Sequence, residues 1–100
     1  MGMGNPYGYL PKSDLHQFLR EQREELNRAY ENLNLLKAEI ERQYNVMNLL
    51  GTRDPADRKR RQEIYDEIKT LKMDKQSILN TIADHKSTIA EIKRALDSPR

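Results

Sequence analysis

Any chemistry in this sequence would have to come from two histidines, one run of basic residues and a few carboxylate pairs. A catalytic or structural metal needs three or four donors converging on one point, and His16 and His85 are the only imidazoles, with no cysteine to join them. The carboxylates come as neighbours, Glu24-Glu25 and Asp66-Glu67, or at helical spacing, Glu21 with Glu25 and Glu63 with Glu67. Such pairs ordinarily sit on a solvated helix face, and none is set in the glycine-bearing acidic loop that calcium requires. No glycine-rich loop is present to cradle a phosphate. The sequence therefore predicts no catalytic, cofactor-binding or metal-binding residue, and no enzyme.

The strongest constellation is basic. Arg53 and the run Arg58-Lys59-Arg60-Arg61 set five positive side chains against two negative ones, Asp54 and Asp57. Guanidinium and ammonium groups gathered this way suit phosphate backbones or acidic protein surfaces, and they also simply keep a chain soluble. Their place at the start of a helix, where the backbone dipole disfavours cations, argues for a use other than helix stability.

The elements that must carry these residues follow from the apolar pattern. With 36% hydrophobic residues, one Phe and no Trp in 100 residues, the chain cannot fill a thick core. Charged residues make up 34%, which suits long solvated helices burying a narrow seam. From Leu15, steps of four and three reach Leu19, Gln22, Leu26, Ala29, Leu33, Leu36, Ile40, Gln43, Met47 and Leu50, so nine of eleven positions are apolar. The same spacing resumes through Ile64, Ile68, Leu71, Lys75, Ile78, Ile82, His85, Ile89, Ile92 and Leu96, where eight of ten are apolar. Between the two stretches, Gly51 is expected to end the first helix in a left-handed conformation, and Asp54-Pro55 to cap and open the second. Ser13 or Asp14, with Gln17 following, is expected to cap the first, and Ser98-Pro99 to stop the second.

Two helices joined by so short a turn must run antiparallel. The predicted architecture is all-α: an antiparallel two-helix coiled-coil hairpin with an extended N-terminal arm over residues 1–12. Helix 1 spans about 14–50, the turn about 51–54 and helix 2 about 55–97. Residues whose numbers sum to 111 face each other, so that Met47 meets Ile64, Leu33 meets Ile78 and Leu15 meets Leu96. Gln22, Gln43, Lys75 and His85 are then polar interruptions that set register, with His85 near Gln22 or Glu25 and Lys75 directed outward.

Function is expected from surfaces rather than a pocket. Tyr30, Tyr44, Tyr65 and Leu79 line one edge of the hairpin. That edge is basic, with Lys37 across from Lys72 and Arg23 across from Lys86, while the opposite edge carries Glu39 and Asp74. Such edges attract a second copy or another protein better than they satisfy each other, and they point to a larger helical bundle as homodimer or higher oligomer. Tyr7, Tyr9 and Leu10 in the arm are further candidates for partner contact. The pattern is similar to that of coiled-coil hairpins that serve in oligomerisation or docking, including viral nucleoprotein hairpins, secretion chaperones and small phage scaffolding proteins, without a residue-by-residue match. Secreted hairpins of this size with a Trp-x-Gly turn differ here, where the turn reads Leu49-Leu50-Gly51.

The expected function is thus non-enzymatic assembly, scaffolding or adaptor/chaperone work through self-association and a protein partner, with nucleic-acid binding by the basic tip as the alternative. No cofactor, membrane or small-molecule partner is expected. Met1-Gly2 lacks the Ser or Thr that an acylation site requires, since Pro6 stands there. With no long apolar run and no signal-peptide pattern, an intracellular location or a place within a larger assembly is expected.

Overall fold

The computed structural model describes residues 6–98. They form two helices and no strand: α1, Lys12–Leu49, and α2, Pro55–Asp97. This is the all-α helical hairpin that the heptad spacing requires. Every seam position from Leu15 to Leu50 and from Ile64 to Leu96 is buried or half-buried, whereas the intervening positions are mostly exposed.

Packing divides the chain into two compact units, Met1–Tyr30 with Asn80–Arg100, and Glu31–Leu79. In the first, Leu15, Leu19, Ile89, Ile92 and Ala95 form a buried cluster, with Leu26 and Leu96 packed against it. Ala95 precedes its seam neighbour Leu96 and is the more buried of the two. Two polar seam residues satisfy each other in this unit. His85 Nδ1 and Gln22 Oε1 meet across the seam in a 2.8 Å hydrogen bond, which pairs the two polar side chains of this layer.

The segment expected as an extended arm is a turn over the described residues 6–10. The Leu10 amide donates to the Tyr7 carbonyl at 3.2 Å, and the Tyr7 ring meets Phe18 edge-on, with centroids 5.3 Å apart at 78°. Tyr7, Leu10 and Phe18 all pack against the buried cluster. The first α1 hydrogen bond runs from the Leu15 amide to the Pro11 carbonyl at 3.0 Å, so the helix begins ahead of Ser13 and Asp14. Gln17 accordingly contacts Glu21 rather than closing a capping box, and Asp14 lies in the first turn, where its charge faces the positive helix end.

In the second unit, Leu33, Ile64 and Ile68 are buried. The turn holds its ends through side chains. The Asp54 carboxylate accepts the Ala56 amide at 3.0 Å and its carbonyl accepts the Arg58 amide at 2.9 Å, the geometry of an N-cap with Pro55 at the first helical position. Asp54→Ala is expected to cost about 1 kcal/mol in thermal unfolding, and Asp54→Asn to recover most of it.

Gly51 differs from expectation: neither described glycine has a positive φ. What glycine provides here is room for a close approach. Its amide donates to Asp57 Oδ2 at 3.0 Å, and a Cβ at Gly51 would lie 3.1 Å from that same oxygen. At the far end of α2, the Ser98 amide and hydroxyl both donate to the Arg94 carbonyl, at 3.1 and 2.9 Å. Pro99 lies outside the described residues.

Candidate functional site: the faces and turn of the second unit

The basic residues of the turn do not act as one patch. Helix α1 has no cation of its own in its last turn, leaving several carbonyls unsatisfied at a negative dipole end. Arg61 reaches across from α2 to fill that role, its Nη1 donating to the Met47 carbonyl at 2.5 Å and to the Leu50 carbonyl at 3.2 Å. Arg60 pairs with Glu63 at 3.3 Å. Arg53, Arg58 and Lys59 are exposed and make no ion pair among the described residues. Asp54 and Asp57 are held in the turn as described. Of the five cations in the sequence cluster, three remain available to a ligand.

The aromatic edge is present, and its lysines have a use within the hairpin. In the second unit the Lys72 ammonium lies 5.2 Å from the Tyr44 ring centroid and the Lys69 ammonium 4.9 Å from that of Tyr65. In the first unit Lys86 lies 5.5 Å from that of Tyr30. Lys72 and Lys86 thus each meet a tyrosine ring, a contact that the simple register does not name. Their long stems carry the charge further along the partner helix, onto a ring face that attracts it. A groove of about 370 Å³ adjoins Tyr65, lined also by Met47, Thr52, Arg58, Arg61 and Gln62.

The opposite face of this unit is acidic with an apolar floor. One groove is lined by Asn32, Leu35, Leu36, Glu39, Asp74 and Ile78. A second is lined by Glu39, Gln43, Glu67, Thr70 and Leu71. Glu39 joins the two. Its carboxylate accepts Arg42 Nε at 2.9 Å, Arg42 Nη2 at 2.6 Å and Gln43 Nε2 at 3.0 Å. These donors, Arg42 foremost, pull its pKa from 4.5 down to about 2. A carboxyl group depressed in the folded state adds stability that is fully present above the unfolded value. That contribution is lost as pH falls from about 4.5 through about 2. Carbon-detected NMR of the Glu39 carboxyl is expected to show a midpoint near the low end of that window, and Arg42→Ala to return it towards the ordinary range.

The remaining candidates separate. Tyr7 and Leu10 pack on the chain's own core, while Tyr9 is 80% exposed. Leu79 is exposed in the second unit. The residues that the heptad stripe does not single out are Leu35, Leu49 and Met73, at 70%, 86% and 71% exposure. Their only sequence signal is that they are apolar and lie off the seam.

Among the described residues no group of three or more His, Asp or Glu side chains is gathered where a metal could bind. No helix there is long and apolar enough to cross a membrane. No known protein family matches the chain, and no curated protein or solved structure matches it either.

Proposed function

We propose that this helical hairpin is a non-enzymatic interaction module acting in assembly, scaffolding or as an adaptor or chaperone, through self-association and docking to a protein partner. One observation carries the reading: the second unit is under-covered. Its seam from Leu36 to Leu50 is half-buried at best, as are Leu71 and Ile78, and the large apolar groups Leu35 and Met73 stand in solvent. The first unit has the Tyr7–Phe18 contact and Leu10 to seal its cluster, and nothing comparable covers the second. Leu35, Leu36 and Ile78 line one groove with Glu39 and Asp74, and apolar surface flanked by charge is a feature of protein interfaces.

Sedimentation equilibrium of the intact chain tests this reading. The average mass is expected to rise reversibly with concentration above that of one chain. A chain that stays monomeric at every concentration removes self-association from the account.

The nucleic-acid alternative has less support, because Arg61 is committed to the α1 end and Arg60 to Glu63. Arg53, Arg58 and Lys59 fall short of the roughly six to ten phosphate contacts that give strong, salt-steep binding. Fluorescence anisotropy with a single-stranded oligonucleotide is expected to show no saturable binding at physiological salt. Tight binding lost in an Arg58→Glu, Lys59→Glu variant would reverse the preference.

A further inference from the structure

We infer that the partner of the acidic, apolar-floored face of the second unit is the basic, aromatic face of another copy of the same chain, so that copies stack head to tail. This rests on the interaction-module reading and assigns its surfaces.

The two faces belong to one unit and share no residue. Side chains that follow the seam on one side include Tyr44, Arg58, Tyr65 and Lys72, seen in the Lys72–Tyr44 contact and the groove at Tyr65, and Lys37 and Leu79 hold the same heptad position one step along. Side chains that precede it on the other side place Glu39, Glu67 and Asp74 around Leu35, Leu36, Leu71 and Ile78. Neither face is uniform in sign. Arg42 offsets Glu39, Arg60 is balanced by Glu63, and Glu41 is exposed beside the cationic side. The balance nevertheless stays opposite on the two, with Lys37, Arg58, Lys69 and Lys72 outweighing Glu41, and Glu39, Glu67 and Asp74 outweighing Arg42.

That distribution selects among the ways two copies can meet. A symmetric dimer through the basic face opposes Lys37, Arg58 and Lys72 to themselves. One through the acidic face opposes Glu67 and Asp74 to themselves. Like charges brought together across an interface are penalised strongly enough to reject a pairing. Only the contact of basic face on acidic face joins opposite signs, and it also brings Tyr44, Tyr65 and Leu79 onto the apolar floor at Leu35, Leu36 and Ile78. Such a contact is heterologous: the pair still offers one unused face of each kind, basic on one copy and acidic on the other, so growth continues past two copies until a ring closes or a filament forms.

Complementary charge reversals test the assignment. One variant carries Glu67→Lys and Asp74→Lys, the other Lys69→Glu and Lys72→Glu, all four positions being exposed. Circular dichroism of each establishes that the helices are retained. For the unaltered chain at low salt, sedimentation velocity is expected to show mass climbing beyond two copies with concentration and falling as salt is added. Each variant alone is expected to associate at least about tenfold more weakly, because its two faces now carry the same sign. An equimolar mixture is expected to recover association, since one variant then offers only basic faces and the other only acidic ones. Association that saturates at two copies, or survives either reversal unchanged, or is not restored on mixing, overturns the face assignment and leaves the module reading standing. A chain that never associates overturns both.

Discussion

Arg61→Ala is expected to lower the midpoint of thermal unfolding by roughly 10 to 20 °C, more than any other charge removal in the basic cluster. Arg61 satisfies two carbonyls at the end of α1 from a half-buried position. Hydrogen bonds to a charged donor contribute about 1.5 to 3 kcal/mol, and a cation at a helix C-terminus adds a few tenths to 1 kcal/mol. A loss of about 2 to 3 kcal/mol in a chain this short moves the midpoint by that interval. Arg61→Lys keeps the charge but not the reach of the guanidinium, and is expected to recover about half of the loss. Lys59→Ala serves as the comparison, because Lys59 is exposed and lies in the same cluster; its effect is expected within about 0.5 kcal/mol. Equal effects at the two positions, measured at one protein concentration, would mean that the cap at α1 contributes nothing.

Ile92→Ala is expected to cost about 3 kcal/mol, within the roughly 2 to 5 kcal/mol found when a large aliphatic is removed from a packed core. Ile92 is fully buried and shares its cluster with Leu15, Leu19, Ile89 and Ala95. Leu49→Ala removes an aliphatic side chain of similar size that is almost wholly in solvent, and is expected to be neutral in a dilute sample. The contrast matters because the sequence contains many leucines and isoleucines, and only their position relative to the seam distinguishes the two. Chemical denaturation separates these outcomes directly. A neutral Ile92→Ala would show that the residues 80–98 are not held against α1.

The seam could be read in the sequence because burial in a helix pair repeats every three and four residues, and that period is a property of the chain alone. The Asp54-Pro55 helix start was legible for the same reason: capping residues act on amides two or three positions away. What could not be read were contacts between segments distant in sequence. Arg61 looked like one of four equivalent cations. Its role depends on α1 ending without a basic residue and on α2 bringing a guanidinium to that end. The sequence sets Tyr30 and Tyr44 on an edge that also carries Lys72 and Lys86, but it does not pair them, since a long lysine stem escapes a register drawn through Cα positions. The Tyr7–Phe18 contact joins a stretch with no period to a residue beside the seam, so no spacing rule reaches it. For Gly51 the sequence suggests a positive φ, whereas in the turn its amide hydrogen-bonds the closely approaching Asp57 carboxylate.

The opposed charge of the two faces was partly visible, as Glu39 and Asp74 on one edge and lysines on the other. Its meaning changed once Lys72 and Lys69 were found over tyrosine rings. Each lysine therefore has an attractive contact within its own chain, and an interface that uses it must keep or replace that contact.

The central claim, that α1 and α2 fold back on each other within one chain, is open to a direct measurement because the sequence contains no cysteine. The side-chain tips of Gln22 and His85 meet at 2.8 Å, so a Gln22→Cys, His85→Cys variant sets two thiols on facing turns of the seam, within the span of a short bis-maleimide. Cross-linking in dilute solution, read on a denaturing gel with a thiol count, is expected to give a cross-linked single chain with no free thiol. If the helix instead continued unbroken through residues 51–54, the two positions would lie roughly 95 Å apart. The reagent would then yield only covalent dimers and larger species, a result that contradicts the hairpin and every surface assignment built on it.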